Sequence, residues 1–399
     1  LKLTTKIILG LGIGVAVGLL LTNNPDIATT YIQPIGTLFI NMIKMIIVPL
    51  VLSSLIVGAS SIGDIKALGR IGGKTFIYYL LTTGIAVAIG LSMGTLFQPG
   101  SGLSIPAEAE AVAQEAPSII TTLLNMVPSN PLQGLVEGNM LQIIIFALFL
   151  GIGATTLPDD KGKPFISFFD SLAETMYNIT SFIMELAPYG IFGLIVPVVA
   201  TNGISVLLPL IKVIMAVYIG GLIHSVIVYS SAVKVFGKIS PIKFFKGVMP
   251  AALTAFSTTS SSGTLPVSIK CVKENLGVSD KIASFVLPLG ATINMDGTAI
   301  YQGVCALFIA QVYGIDLTAA QYSTIILTAT LASIGTAGVP GAGLIMLSLV
   351  LQSVGLPLEG IALIAGIDRI LDMARTTVNV VGDTSAAIVV AATENEING

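Results

Sequence analysis

Ser333-Ile334-Gly335-Thr336-Ala337-Gly338-Val339-Pro340-Gly341-Ala342-Gly343 interrupts an apolar run that extends over residues 317–354. Four glycines and a proline fall within positions 335–343, and such a segment cannot continue a helix. The apolar flanks are too short to span a bilayer singly. A second segment repeats the pattern upstream, where Ser257-Thr258-Thr259-Ser260-Ser261-Ser262-Gly263-Thr264 follows an apolar stretch over residues 242–256. Fifteen residues of helix rise about 22 Å, short of a hydrocarbon core of about 30 Å. Each segment therefore reads as a helical hairpin that enters and leaves on one side, with its polar run at the tip. Non-helical backbone at membrane depth survives only when buried in protein or lining a wet cavity. Between the two lies an apolar stretch at 282–311, broken by Asn294-Met295-Asp296-Gly297-Thr298, and beyond them a last span at 358–393 carries a polar stripe. Hairpin plus interrupted span, twice over with opposite orientation, is an inverted repeat. Broken segments in corresponding halves point to a binding site between them.

Composition agrees with a bilayer setting. Of 399 residues only 10% are charged (18 Lys+Arg, 21 Asp+Glu) and 54% are apolar; mean hydropathy is +0.95. A soluble domain carries about 25% charge, so the chain reads as an all-α integral membrane protein. The net charge of −3 excludes a basic nucleic-acid binder. One histidine and two cysteines, Cys271 and Cys305, give neither a zinc site nor a disulfide framework. No Ser/His pair or metal-binding motif supports an intramembrane hydrolase.

Upstream of residue 240, spans are expected near 5–22, 30–57, 74–97, 119–155, 164–198 and 205–236. Gly10, Gly14 and Gly18 in the first read as a packing stripe. Lys2 and Lys6 precede that span without a small-residue cleavage site, which reads as an anchor helix rather than a signal peptide. Loop charges alternate without a break. Lys66, Arg70 and Lys74, then Lys161 and Lys163, then Lys234, Lys238, Lys243 and Lys246 mark one side; the intervening loops carry no basic residue, and residues 99–118 carry Glu108, Glu110 and Glu115. The N-terminus is thus expected in the cytoplasm.

The last span holds Asp368, Asp372, Arg375, Asn379 and Asp383, at steps of four, three, four and four, so all five share one helix face. A charge at the bilayer centre costs about 3 kcal/mol on insertion scales. Internal pairing of Asp368 with Arg369, or of Asp372 with Arg375, would only dock helices, and it leaves Asn379 and Asp383 without cationic partners. Asp296, Asp383, Asn294, Asn379 and the carbonyls of Gly290, Thr292, Ser333 and Thr336 offer oxygen alone, which favours an alkali cation. Free amides at the hairpin tips favour carboxylates. Arg375 can hold a carboxylate bidentately and Asp372 an ammonium, so a small zwitterion with a second carboxylate fits. His224, inside an apolar span, reads as a satisfied buried group.

Ser260-Ser261-Ser262-Gly263, Asn294-Met295-Asp296-Gly297-Thr298, Gly338-Val339-Pro340-Gly341-Ala342-Gly343 and Asp372…Arg375-Thr376…Asn379…Gly382-Asp383 resemble the motifs of the dicarboxylate/amino acid:cation symporters. That family includes prokaryotic glutamate and aspartate carriers and mammalian excitatory amino acid transporters. The resemblance implies a homotrimer in the prokaryotic cytoplasmic membrane, with lipid around it, eight transmembrane helices and two re-entrant hairpins, working as an elevator. Residues 1–73 and 99–198 would form a scaffold; 74–98, 199–240 and the core at 241–399 would move. Asp372 would bind the substrate amino group and Arg375 its side-chain carboxylate. Ser260, Ser261, Thr298, Thr376, Asn379 and the backbone at Val339 and Gly343 would hold the remainder. Co-transported sodium ions would bind Gly290, Asn294, Asn379 and Asp383; Thr292, Ser333, Ile334 and Thr336; and Tyr79, Thr82, Thr83, Asn294 and Asp296.

Two departures stand out. Archaeal members carry an arginine at the first tip where this chain has Thr259, and Arg369 here lies one turn before Asp372, placed to supply the missing charge to substrate. Proton-coupled mammalian members have a glutamate where this chain has Gln302, which cannot titrate, and this favours sodium over a proton. Alternatives remain: a proton-coupled glutamate, C4-dicarboxylate or cystine carrier on the same fold, and an ion channel.

Overall fold

A computed structural model describes residues 3–68, 70–103, 124, 127–203, 207–334, 336 and 341–397. Their secondary structure is helical apart from one isolated bridge, Val278 to Ile397. In chain order the principal helices are α1 (Leu3–Leu20), α2 (Gln33–Leu68), α3 (Arg70–Phe97), α4 (Pro131–Glu137), α5 (Met140–Thr155), α6 (Asp159–Glu185), α7 (Ala187–Asn202) and α8 (Leu207–Val235). They continue with α9 (Pro241–Thr258), α10 (Ser261–Lys270), α11 (Asp280–Ile293), α12 (Asp296–Val312), α13 (Ala319–Ser333), α14 (Ala342–Ser353) and α15 (Asp368–Glu394). Among the described residues, α3, α8 and α15 are long and apolar enough to cross a membrane.

Local chemistry sets the boundaries. Ser240 caps α9 by accepting from the Lys243 amide, with Pro241 following. Thr259 ends α9 in the left-handed region at φ 54°, and Ser260 starts α10 by accepting from the Gly263 amide. The two arms of this helix–turn–helix pack on one another. A capping box between Thr318 and Gln321 opens α13, and α13 packs on α14. The tip between those arms includes residues 335 and 337–340, which lie outside the described residues, as does most of the 99–118 loop. The interruption expected near Asn294 falls at Asn294 and Met295, both extended or bridging, between α11 and α12.

Three expected boundaries are corrected. The stretch at 164–198 is two helices, α6 and α7, parted at Leu186, because Pro188 lacks a donor and starts a new helix. Within 119–155, Gly138 at φ 67° ends α4 before α5 begins. The last long helix begins at Asp368, and only short turns occupy Leu358–Ala365.

The heaviest packing falls into two groups, joined where α2 meets α3 and α14. α1 lies on α7, and α2 on α5, α6 and α7, whereas α15 lies on α9, α11 and α12, with α3 against α12 and α13. Apolar side chains face outward on two of these spans (Leu81 on α3 is 62% exposed and Leu222 on α8 is 63%), while 83% of the apolar window of α15 is buried. The most polar long apolar helix is thus the innermost.

The α1 stripe seats α7 closely. A Cβ on Gly10 would lie 2.5 Å from the Pro188 carbonyl oxygen, whereas one on Gly12 would meet nothing within 4 Å. Gly10→Leu is expected to destabilise by about 1–3 kcal/mol through overpacking, and Gly12→Leu to leave stability unchanged. Thermal unfolding of the two variants in detergent checks this.

Candidate functional site

The site forms where the breaks converge on α15. Thr259, Ser261, Met295, Thr298, Thr336, Ala342, Gly343, Asp372, Arg375, Thr376 and Asn379 enclose one small space of about 10 Å³, room for about one water. Seven residues expected to bind substrate (Ser261, Thr298, Gly343, Asp372, Arg375, Thr376 and Asn379) are therefore brought together. Ser260 instead caps α10, and half-buried Arg369 is not in the lining. Val339 lies outside the described residues.

Arg375 is 2% exposed and fully engaged at its fork. Its Nη1 and Nη2 donate to the two Asp368 oxygens at 2.7 and 3.3 Å, and its Nε donates to Asp372 Oδ1 at 2.9 Å. The guanidinium also lies 4.5 Å from the Tyr301 ring centre, a cation–π contact. Internal pairing is thus present, and Arg375 is shared by two carboxylates. Asp372 has further partners: Thr376 Oγ1 donates to its Oδ1 at 3.2 Å, and the Gly341 amide to its Oδ2 at 3.2 Å. Gly341 is at φ 85°, a backbone that favours glycine, so the second tip is tethered to α15. Gly343 sits against the guanidinium itself, where any Cβ would overlap it.

One and two turns further along α15, Asn294 Nδ2 donates to the Asn379 carbonyl at 3.1 Å and to Asp383 Oδ1 at 2.9 Å. Asn379 Oδ1 accepts from the Gly297 amide at 2.7 Å. Gly290 abuts both Asp383 and the Tyr79 hydroxyl, so Gly290, Asn294, Asn379 and Asp383 meet. Asn294 Oδ1 is buried without a hydrogen-bond partner, and an orphaned acceptor beside a carboxylate suits a cation. Deeper still, Asp296 is fully buried. Thr83 Oγ1 donates to its Oδ1 at 2.6 Å, and Tyr229 to its Oδ2 at 2.8 Å, with His224 Nε2 at 3.1 Å from the same oxygen. Tyr79 donates to the Val286 carbonyl and Thr82 to the Tyr79 carbonyl. The residues of the other expected cation set are turned toward local backbone: Thr292 Oγ1 to Leu289, Ser333 Oγ to Thr330 and Thr336 Oγ1 to Ala332, with buried Ile334 between the last two.

Three participants escape the sequence reading. Asp368 lies on the predicted stripe, but the sequence offered adjacent Arg369 as its partner and gave no reason to prefer Arg375, seven residues on. Tyr229 and His224 reach Asp296 because Ile223 is followed by a wide-turn segment, His224–Tyr229; such insertions re-aim side chains. The paired polar residues inside an apolar span were the available signal. His224 is buried as expected, yet its Nδ1 has no partner.

The described buried charged side chains near the site are Asp296, Asp368, Asp372 and Asp383 against Arg375, with His224 charged only when protonated. Removing the one fixed cation leaves Asp368 and Asp372 buried together. Arg375→Met is expected to destabilise by about 3–5 kcal/mol, and adding Asp368→Asn to recover part of it, read by denaturation in detergent.

The sequence profile of the sodium:dicarboxylate symporter family matches residues 3–393. The chain is 41% identical to a proton/sodium-glutamate symport protein of Geobacillus stearothermophilus, over 99% of this chain and 95% of the relative. It is 39% identical to the proton/glutamate-aspartate symporter of Escherichia coli, over 100% and 94% of the two chains. A C4-dicarboxylate transport protein of Bacillus subtilis is 35% identical over the same shares.

Proposed function

The chain belongs to the sodium:dicarboxylate symporter family, and on that premise we propose that it imports L-glutamate and/or L-aspartate, driven by sodium, through an elevator movement. It is a membrane transporter and not an enzyme. The observation that carries the finer reading is the excess of buried carboxylate over buried cation around α15. An uncompensated carboxylate in a low-dielectric interior costs several kcal/mol, and cations that travel with the substrate remove that cost.

In this reading the cations bind first, at Asp383, Asn294, Asn379 and Gly290 and around Asp296. Asp372 then leaves the Arg375 Nε for the substrate ammonium, and the freed edge of the guanidinium takes the side-chain carboxylate. Asp368 keeps the far end of the fork. Because Asp372 also holds the Gly341 amide, substrate exchange and the second tip move together. Thr298, Thr376, Asn379, Ser260, Ser261 and the backbone at Val339 and Gly343 complete the substrate shell; Thr292, Ser333, Ile334 and Thr336 take a cation when the tip closes; Tyr79, Thr82 and Thr83 serve the Asp296 site. The two packing sets support a static scaffold (1–73, 99–198) and a moving part (74–98, 199–240, 241–399). We propose a homotrimer in a prokaryotic cytoplasmic membrane, with eight spans and two re-entrant hairpins and its N-terminus inside.

Proton coupling on the same fold is the second reading, supported by the name of the Escherichia coli relative. The deciding experiment is uptake into proteoliposomes with sodium and proton gradients imposed separately, offering glutamate, aspartate, succinate and cystine. Glutamate or aspartate accumulation under the sodium gradient is expected. Uptake that follows the pH gradient alone, or prefers succinate, overturns the reading. Asp383→Asn is expected to raise half-saturating sodium roughly tenfold, about the loss of one charge-assisted contact, with substrate selectivity unchanged. Arg369→Ala is expected to weaken substrate affinity; unchanged affinity and rate would show that Arg369 supplies no charge to the site.

A further inference from the structure

We propose that the corner where α8 gives way to α9 binds the phosphate headgroups of anionic phospholipids in the adjoining leaflet. α8 is one of the helices able to cross a membrane, and Lys234 lies in its last turn. Lys234, Lys238, Lys243 and Lys246 are all exposed, and among the described residues none has a carboxylate partner. Nearby Lys270, Lys273 and Lys281 are already matched to Glu274, Asp280 and Glu396. Apolar side chains are interleaved with the unmatched lysines: Val235, Phe236 and Ile242 are 63%, 58% and 70% exposed. Ile242, Lys243 and Lys246 also line an open cavity of about 580 Å³, whose wall is fixed by Asn275 donating to the Gly247 carbonyl at 2.7 Å. The Lys243 amide is taken by Ser240, so the ammonium groups, and not the helix end, carry the charge.

Orientation alone asks for lysines anywhere in a cytoplasmic loop. It does not set Lys243 and Lys246 around one cavity with exposed Ile242, nor Lys234 and Lys238 beside exposed Val235 and Phe236 in sequence. A phospholipid matches both features, with acyl chains against Val235, Phe236 and Ile242 and phosphate against the lysines. A soluble acidic partner would leave the apolar side chains unmatched.

The test is retention of phosphatidylglycerol by the purified full-length protein in detergent, read by native mass spectrometry, and needs no transport activity, so its failure is separate from that of the symporter reading. Lys243→Gln with Lys246→Gln is expected to weaken retention roughly twenty-fivefold, from about fivefold per lysine, while Lys243→Arg with Lys246→Arg retains it and Lys161→Gln with Lys163→Gln changes nothing. Phosphatidylcholine is expected to bind weakly, and excess inorganic phosphate not to displace the lipid. Equal retention by the glutamine pair and wild type, an equal loss from the Lys161 and Lys163 pair, or release by inorganic phosphate overturns the proposal.

Discussion

Burying charge in an apolar molecule is the constraint from which the rest of this structure follows. Asp296, Asp368, Asp372, Asp383 and Arg375 are each no more than 4% exposed. Ions of this kind persist only when paired and hydrogen-bonded. Every interruption of regular helix near the site serves that requirement. The gap at Asn294 and Met295 lets Gly297 and Asn294 donate to α15, and Gly341 turns so that its amide reaches Asp372. The wide turn in α8 delivers Tyr229 to Asp296.

The pairing is uneven, and that unevenness distinguishes the cluster from one whose charges close internally. Arg375 is saturated by Asp368 and Asp372, whereas Asp383 has a neutral amide for its partner and Asn294 retains an unused oxygen. A purely structural cluster would close its charge internally. Here the fixed charges close at one end of the stripe and stay open at the other, about two helical turns away.

The surroundings reinforce this arrangement. α12 is buried on nearly all sides and α15 sits inside α9, α11 and α12, so the polar stripe never faces lipid. α1 and α7 meet through a glycine stripe away from these polar elements. The polar elements therefore form one packed body, and a rearrangement that carries them together keeps their mutual hydrogen bonds.

The amino-acid sequence determined the helical class, the helix breaks at Thr259 and Asn294 and the common face of Asp368, Asp372, Arg375, Asn379 and Asp383, because hydropathy, glycine and proline content and a 3.6-residue period act over a few residues. It also carried the family, through motifs that are contiguous. The tertiary structure alone decided that Asp368, rather than a neighbour, takes the end of the Arg375 fork, and that Tyr229 and His224 serve Asp296. Asp368 and Arg375 lie about two turns apart on α15, and which carboxylate takes which edge of the fork depends on side-chain rotamers set by the packing around them. The partners of Asp296 come from helices remote in the chain, and an insertion in a helical turn re-aims the side chains beyond it; neither is written in a linear pattern.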